Sequence, residues 1–252
     1  MKKNSLYTLF LLLFAFLLAP FALRSQIFEK VSAGHLTSTA SGSRSCNFLD
    51  FNNDGFQDVL ITNGKSGGEN NMLYVGGGNG TFTLLNDTVC SDNTPSDGAT
   101  CGDFDNDGWI DIYTVNWYGV NNLLYHNAAG LNFEKIDTAV VPNDGGYSET
   151  AAWGDMDADG LLDLYVTNSA GGNHNFLYHN QGGGAFTKVT GITPVTDQFA
   201  SRSVNWIDYD RDGDQDLFVA NESTQRNQLY RNDGLLNFTK VTTGDLVTSN
   251  FS

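Results

Sequence analysis

The sequence repeats itself at nearly equal intervals, and this periodicity constrains the fold more strongly than any other feature. An Asp-rich loop recurs at steps of 53, 52 and 53 residues, beginning at Asp50, Asp103, Asp155 and Asp208. Each loop is followed by an apolar-Tyr pair and then by a lone Phe, always in that order: Leu73-Tyr74 and Phe82, Leu124-Tyr125 and Phe133, Leu177-Tyr178 and Phe186, Leu229-Tyr230 and Phe238. The pattern predicts one supersecondary unit that occurs four times.

Each repeat contains four short runs that are typical of β-strands. The runs are rich in β-branched and aromatic residues and are bounded by Gly, Asn and Asp, as in residues 203–207 before a loop and 216–220 after it. Helical periodicity over three turns is not found after the N-terminal segment. We therefore predict an all-β fold, a β-propeller of four-stranded antiparallel blades with four repeats visible. The recurring Tyr and Phe residues are expected to pack in its core.

The two ends of the repeat region predict an incomplete propeller. Residues 27–31 match the fourth strand of later copies, which indicates an extra outer strand at the start. Residues 247–252 resemble residues 195–200, the segment that precedes the next first strand, so the tail indicates the start of a further repeat. A closed ring of four blades is the alternative. The predicted domains are a signal peptide at 1–25 and a repeat domain at 26–252, with repeats at about 27–82, 83–133, 134–186 and 187–238 and a further start at 239–252.

The N-terminus has the features of a signal peptide. Lys2 and Lys3 precede an unbroken apolar run at residues 9–18, which Pro20 interrupts. The run is short for a membrane span, and no stop-transfer pattern follows it. We predict export to a secreted or cell-surface location, with cleavage between Ala22 and Gln26 and no membrane span afterwards. A retained anchor helix is the alternative.

Charge and cysteine content limit the possible partners and cross-links. The formal net charge is −16, which argues against nucleic acid because its phosphates would be repelled. An exported protein can form disulfides. Two alternatives follow: Cys90 and Cys101 pair and leave Cys46 unpaired, or the three cysteines are buried free thiols.

The four Asp-rich loops share the pattern D-x-[DN]-x-D-G-x-x-D. Carboxylates at positions 1, 3 and 5 of a tight loop converge on one point, where a hard cation with six to eight oxygen ligands would offset their repulsion. Gly at position 6 permits the turn, position 7 offers its backbone carbonyl, and the Asp at position 9 completes the site. Oxygen ligands without His or Cys favour calcium over zinc or copper. The predicted ligands of about four Ca²⁺ ions, one per repeat, are Asp50, Asn52, Asp54, Phe56 and Asp58; Asp103, Asp105, Asp107, Trp109 and Asp111; Asp155, Asp157, Asp159, Leu161 and Asp163; and Asp208, Asp210, Asp212, Asp214 and Asp216.

Two other interpretations of these loops were open. An EF-hand needs a Glu at position 12 and helices on both sides, but position 12 is a predicted strand residue in every copy: Ile61, Thr114, Val166 and Val219. Asp-rich turns without metal are the second interpretation, and four loops of intact spacing argue against it. Because Asn52 replaces an Asp, the first site is predicted to bind calcium most weakly.

The sequence contains few residues suited to catalysis. It has no G-x-S-x-G or H-E-x-x-H motif. His126 and His179 occupy the same repeat position and are expected to be structural, and carboxylate pairs are expected only inside the metal loops. We therefore predict a non-catalytic scaffold for adhesion, with structural calcium, that binds an extracellular protein or glycan. The alternative is the propeller portion of an exported polysaccharide-active enzyme.

A few residues in predicted loops are candidates for sugar recognition. Trp117, Tyr118 and Tyr147 could stack on a sugar ring, and the pair Asn121-Asn122 could donate hydrogen bonds to its hydroxyls. The alternative is that these aromatic residues pack between blades.

The chain resembles the FG-GAP/VCBS-type repeats of integrin α-chain propellers and of many bacterial exported proteins. The resemblance covers about residues 27–252 and rests on the D-x-D-x-D-G-x-x-D loop, the Asn-x-Leu-Tyr segment and the Gly-x-Phe turn. The run Leu177-Tyr178-His179-Asn180 is similar to the bacterial exported type. The resemblance implies a loop that joins the first two strands of each blade and holds one calcium ion. It also implies a propeller that usually has seven blades, of which four repeats would be a part.

Overall fold

The computed structural model describes residues 34–170 and 174–248. The predicted signal peptide, the predicted outer strand at 27–31 and residues 249–252 of the tail lie outside that part of the chain. Within it, no helix is both long enough and apolar enough to cross a membrane.

The described residues form four antiparallel sheets, each built from four consecutive strands. Sheet 1 comprises β1 (Ser43–Leu49), β2 (Asp58–Asn63), β3 (Met72–Gly76) and β4 (Phe82–Leu85). Sheet 2 comprises β5 (Ser96–Gly102), β6 (Asp111–Asn116), β7 (Leu123–Asn127) and β8 (Phe133–Ile136). Sheet 3 comprises β9 (Ser148–Gly154), β10 (Asp163–Asn168), β11 (Phe176–Asn180) and β12 (Phe186–Lys188). Sheet 4 comprises β13 (Ser201–Ile207), β14 (Asp216–Asn221), β15 (Gln228–Asn232) and β16 (Phe238–Val241). The predicted all-β, propeller-like set of four-stranded blades is confirmed.

Short helical segments lie before, between and after the sheets. They are α1 (His35–Ser38), α2 (Thr193–Thr196) and α3 (Asp245–Thr248), with 3₁₀ turns at Thr88–Cys90 and Val141–Asn143. Helix α3 lies in the predicted start of a further repeat, and it corresponds to α2, which lies in the segment before sheet 4. Each segment is about one turn long, too short to produce a periodic pattern in the sequence.

The strand order places the first strand of each sheet innermost. The first strands β1, β5, β9 and β13 pack against one another in that order. The second strands are the most deeply buried, and all six residues of β6 and of β10 are buried. These strands have apolar residues on both faces because a sheet lies on each side of them.

Three hydrophobic clusters fill the spaces between consecutive sheets of the described chain. Phe51, Tyr125 and Phe133 lie between sheets 1 and 2, and the equivalent residues repeat in the clusters between sheets 2 and 3 and between sheets 3 and 4. The prediction that the Tyr landmarks pack in the core is confirmed, because all four are at most 1% exposed: Tyr74, Tyr125, Tyr178 and Tyr230.

The Phe landmark of sheet 1 differs from the other three. Phe133, Phe186 and Phe238 are buried, whereas Phe82 is only half-buried. Phe133 packs edge-on against Phe51 of the preceding sheet at a centroid distance of 5.9 Å. No sheet precedes sheet 1 in the described chain, so Phe82 lacks that partner.

The three cysteines are free thiols in the structure. Of the two alternatives for Cys90 and Cys101, the unpaired one is observed. Burial raises the pKa of the Cys90 thiol to about 11, so this thiol stays protonated and unreactive at neutral pH. Cys46 is exposed, which corrects the expectation that all unpaired thiols are buried.

The connections between strands alternate between two ends of the sheets. The Asp-rich loops all join a first strand to a second strand, and we call the end that carries them the acidic end. The connections from second to third strands lie at the opposite end, because the strands are antiparallel.

Candidate metal centres

The Asp at position 9 of each loop is the first residue of a second strand and is buried. Asp58, Asp111, Asp163 and Asp216 are at most 1% exposed. In sheet 2, Asp111 Oδ2 accepts the backbone N–H of Phe104 at 3.0 Å, and its Oδ1 accepts that of Asn127 at 2.8 Å. The same pair of bonds occurs in the other three sheets. This carboxylate therefore joins the loop to the end of the third strand.

The carboxylates at positions 1 and 5 organise the turn. Asp103 accepts the backbone N–H groups of Asp107 and Gly108 at 3.0 and 2.8 Å, and Asp107 accepts that of Trp109 at 2.9 Å. Position 4 has a positive φ in every loop, 61° at Asn106, and Gly108 at position 6 has a φ of 91°. A side chain at position 6 would be strained in this conformation, which explains the Gly. The N–H of position 7 is thus engaged, and its carbonyl as a metal ligand stays a prediction.

The loops bring acidic oxygens together as predicted from their spacing. One oxygen each from positions 1, 3 and 9 lies within 4.8 Å of the others in three loops: Asp103, Asp105 and Asp111; Asp155, Asp157 and Asp163; Asp208, Asp210 and Asp216. In the first loop position 3 is an amide, and Asn52 Nδ2 donates to Asp54 Oδ2 at 3.0 Å. These acidic clusters could hold metal ions.

Two oxygens in these clusters are orphaned. Asp105 Oδ1 and Asp157 Oδ1 are buried and have no hydrogen-bond partner in the described chain. A buried, unpaired carboxylate oxygen is costly, because it has lost its water without a replacement. The candidate ligands within each loop are hard oxygens, and Asp105 and Asp157 each belong to a cluster of three carboxylates. The residues therefore fit a divalent cation such as calcium.

The raised pKa values of the clustered carboxyl groups also indicate that the negative charge of the loops lacks a sufficient counter-charge. Burial raises the pKa of Asp111 to about 7 and that of Asp163 to about 6, against the opposing effect of their backbone hydrogen bonds. Burial and the nearby Asp107 also raise the pKa of Asp105. A cation in the loop would stabilise the charged form of each group.

His126 and His179 lie at the edges of the acidic clusters, a location that was not predicted from the sequence. His126 Nε2 is 3.2 Å from Asp105 Oδ2 and 3.1 Å from Asp107 Oδ2. His179 Nε2 is 2.9 Å from Asp157 Oδ2. The signal was present in the sequence, because both follow the Leu-Tyr pair and the third strand runs back to the loop. His126 and His179 thus share one position beside the acidic loops, and their structural role stays a prediction.

A repeated Asn ties sheets 2, 3 and 4 each to the loop of the preceding sheet. Asn127 Nδ2 donates to the carbonyl of Phe51 at 2.9 Å and to that of Ile110 at 3.2 Å. Asn180 and Asn232 make the equivalent bonds to Phe104 and Met156 at 2.7 and 2.6 Å. We call this residue the clamp Asn. Its carbonyl partner is always position 2 of the preceding loop, so the loops and the sheet junctions form one hydrogen-bonded system.

Neighbouring loops are also joined directly. Asn53 Nδ2 donates to the carbonyl of Gly108 at 3.1 Å, and Asn106 Nδ2 donates to that of Gly160 at 3.0 Å. These donors are position-4 residues. The third loop has Ala158 at position 4 and lacks such a donor.

The predicted sugar-binding residues lie at the opposite end, and they divide into two groups. Trp117, Tyr118 and Tyr147 form one cluster of edge-to-face rings. Asn122, by contrast, is buried: its side chain accepts the N–H of Asn116 at 2.8 Å and donates to Ser148 at 3.2 Å. Asn122 therefore shapes the turn and is not available to a ligand, whereas Asn121 is exposed.

One carboxylate pair lies outside the acidic loops, contrary to the expectation. Asp97 of β5 lies beside Glu149 of β9, and this neighbouring carboxyl group helps to raise the pKa of Asp97. Glu149 also accepts the indole N–H of Trp117 at 2.8 Å and contacts Arg202 Nη1 at 2.5 Å. The sequence did not indicate this pair, because its two members lie in different sheets.

Comparison with known proteins agrees with this architecture. A family model described as an FG-GAP-like repeat matches residues 50–114, 103–166, 155–219 and 208–252. No curated protein matches the chain. One similar solved structure is described as the basis of specific recognition of non-reducing terminal N-acetylglucosamine by an Agrocybe aegerita lectin; it is 18% identical with a TM-score of 0.52, and the match covers 80% of this chain and 52% of the lectin chain. The chain thus spans about half of that lectin, and at this identity the similarity concerns the fold alone.

Proposed function

This chain belongs to the FG-GAP-like repeat family, and on that premise we propose that it is an exported, calcium-stabilised propeller scaffold. In this proposal each acidic loop binds one Ca²⁺ ion, the ions serve the fold, and the scaffold binds an extracellular protein or glycan without catalysis.

The observation that supports the calcium assignment is the convergence of three carboxylates, one of which has a buried oxygen without a hydrogen-bond partner. Asp103, Asp105 and Asp111 offer oxygens within 4.8 Å of one another, and Asp105 Oδ1 has no partner in the described structure. Calcium takes six to eight oxygen ligands in flexible geometry. Asp103, Asp105, Asp107 and Asp111 would hold the ion in sheet 2, and their counterparts would do so in the other sheets.

A structural role for the metal follows from where the loops sit. The carbonyl of Phe51, at position 2 of the first loop, accepts the clamp bond of Asn127 in the next sheet. Ordering a loop therefore also orders the junction to the neighbouring sheet. Calcium would neutralise the acidic loops and fix these junctions.

Partner binding without catalysis is supported by the site chemistry. The carboxylate pair Asp97 and Glu149 is committed to internal contacts with Arg44, Arg202 and Trp117. The similar structure is a lectin whose description names recognition of N-acetylglucosamine, which makes glycans the first class of partner to test for adhesion.

Calorimetric titration of calcium into chelator-treated protein tests the metal assignment. We expect about four ions to bind, with affinities in the range of roughly 10⁻⁴ to 10⁻³ M that extracellular modules show. The double variant Asp103→Asn, Asp105→Asn should bind one ion fewer. The control variant Glu134→Gln, an exposed acid outside the loops, should bind the same number as the parent. Absence of calcium binding, or a stoichiometry that loop substitutions leave unchanged, would contradict the assignment.

A further inference from the structure

The aromatic cluster at the opposite end does not repeat from sheet to sheet. After the second strand, sheet 2 has Trp117-Tyr118, whereas sheets 1, 3 and 4 have Gly64-Lys65, Ser169-Ala170 and Glu222-Ser223. Tyr147, which precedes β9, is replaced by Gly42, Pro95 and Ala200 before the other first strands. The core Tyr recurs in every copy, whereas these three rings are found at one junction, where sheet 2 meets sheet 3. The repeated fold therefore does not require them.

The three rings form a compact, partly exposed surface. The centroid of Trp117 is 5.5 Å from that of Tyr118 and 5.4 Å from that of Tyr147, and the two Tyr rings are 6.5 Å apart. Tyr118 is 49% exposed and has a φ of 60°. Ser223, at the same position after the second strand of sheet 4, has a φ of 58°, so the turn itself takes this conformation, which is unfavourable for a bulky residue such as Tyr. The backbone thus holds a large apolar ring in water at a conformational cost.

Contacts with the buried Glu149 and the partly exposed Arg202 hold the indole in place. Trp117 Nε1 donates to Glu149 Oε1 at 2.8 Å, and Glu149 is 4% exposed. Arg202 contacts Glu149 through Nη1 at 2.5 Å and Glu222 through Nη2 at 2.6 Å. Its guanidinium lies 5.9 Å from the Trp117 ring centroid. Because Arg202 is already paired with two carboxylates, the cluster offers no free cation to an anionic ligand.

The cluster also carries uncommitted polar groups. The hydroxyls of Tyr118 and Tyr147 have no hydrogen-bond partner among the described residues, and Asn121 beside them is exposed. The core tyrosines differ, since Tyr178 and Tyr230 donate their hydroxyls to Asp144 and Asp197. Rings with free hydroxyls at their edges match the apolar C–H face and the peripheral hydroxyls of a sugar.

We propose that Trp117, Tyr118 and Tyr147 form a binding site for a neutral saccharide where sheets 2 and 3 meet at the opposite end. This inference rests on the proposed function as a binding scaffold and names the ligand class. The rings would stack on the sugar, and the hydroxyls of Tyr118 and Tyr147 would bond to it. Glu149 and Arg202 act as positioning residues for the indole.

A sugar fits the cluster better than a protein partner does. A stable protein interface buries about 800 Å² on each side. The cluster lies at a single junction, that of sheets 2 and 3, and the equivalent connections after the second strands of the other described sheets present small or polar residues, as at Ser169-Ala170. The apolar area is therefore confined to three rings.

The sugar site is separate from the calcium loops. Strand β6 begins at Asp111 in the acidic loop and ends at Asn116, immediately before Trp117. Five residue steps along a strand are roughly 17 Å. Calcium would thus stabilise the fold that carries the sugar site, and it would not contact the sugar.

A glycan array tests the proposal with the full chain in calcium. The array carries neutral and acetamido oligosaccharides together with uronic-acid and sulfated ones. We expect binding to neutral or acetamido sugars, with about tenfold loss in Trp117→Ala and in Tyr118→Ala and a smaller loss in Tyr118→Phe. Phe48→Ala removes an exposed aromatic side chain of β1 that is 54% exposed and should bind as the parent does.

The outcomes separate this inference from the proposed function. Binding only to acidic sugars, binding that both Ala variants retain, or no glycan binding at all would overturn the saccharide site. So would capture of a protein through these rings without any glycan. The calcium titration is run on each variant: if calcium still binds while glycan binding is absent or unaffected, the saccharide site fails and the calcium scaffold stands. Tyr118→Ala removes an exposed side chain and keeps the test valid if Trp117→Ala does not fold.

Discussion

At the scale of single residues, the clamp Asn joins two sheets through the hydrogen bonds of one side chain. Asn127 donates to Phe51 and Ile110 of two different loops and accepts the N–H of Leu131 at 3.0 Å. It is fully buried. One amide side chain therefore satisfies three backbone groups at the junction of two sheets, which an apolar side chain could not do.

Asn127→Ala is expected to destabilise the protein by about 2 to 3 kcal/mol, because it leaves buried backbone groups unpaired. Urea unfolding of parent and variant measures this difference. Asn205→Ala is the matched control, since Asn205 is an exposed strand residue, and it should change stability by less than about 0.5 kcal/mol. Equal effects of the two substitutions would mean that the clamp contributes nothing specific.

Asp97 gives the fold a pH dependence of defined sign. Burial and the neighbouring Glu149 raise the pKa of Asp97 to about 6 from 3.8, against the charges of Arg44 and Arg202. The folded protein therefore holds this proton more tightly than the unfolded chain does. The contribution of Asp97 to the free energy of unfolding is present below pH 4 and is lost as the pH rises through about 6.

Asp97→Asn removes this titration. Relative to the parent, the variant should gain stability as the pH rises from 5 to 7.5, because the amide never acquires the buried charge. Chemical unfolding of both proteins at the two pH values provides the measurement. A variant that instead loses stability relative to the parent over this range would show that the pairing with Arg44 outweighs burial.

At the scale of elements, the four acidic loops are similar in sequence but not equivalent. Asp105 and Asp157 each present an orphaned oxygen, whereas the first loop has Asn52 bonded to Asp54. The fourth loop also differs, since Asp208 accepts the N–H of Arg211 at 2.7 Å in place of the position-5 N–H. The first loop thus differs in charge, and the fourth differs in the hydrogen bonds of its turn.

Asn52→Asp should tighten the weakest calcium-binding step several-fold, because it adds a carboxylate to the loop with the lowest charge. Calorimetric titration of parent and variant shows whether that step moves while the others stay. If the first site already binds most tightly in the parent, charge count does not set the affinity.

Much of this element structure was predictable, for a physical reason. Each loop is a local sequence of nine residues, so its carboxylates meet wherever the turn forms, and Asp111 could be placed at a strand start from spacing alone. The clamp bond of Asn127 joins residues 76 positions apart. It depends on how two sheets dock, which no local pattern encodes. The contact between Asp97 and Glu149 depends on sheet docking in the same way. The one-turn helices, such as Thr193–Thr196, were missed for another reason, because they are too short to produce a helical period in the sequence.

At the scale of the whole molecule, each sheet is stabilised mainly by its neighbours. The hydrophobic clusters lie between sheets and not within them. Phe48 on sheet 1 and Ile207 on sheet 4 are 54% and 50% exposed, since no described sheet covers those faces. Stability in such stacked architectures is the sum of unit and interface terms. Four calcium sites, each of which orders one loop and one junction, would therefore add their contributions to the stability of the whole fold.

The melting temperature with and without calcium tests this account most directly. At millimolar calcium each site should contribute about 1 to 2 kcal/mol, and four sites together should raise the melting temperature by roughly 10 °C or more over chelator-treated protein. Magnesium at the same concentration should have a smaller effect, because it demands a tighter octahedral geometry. A melting temperature that is the same in calcium and in chelator would contradict the claim that these loops are calcium sites that stabilise the propeller.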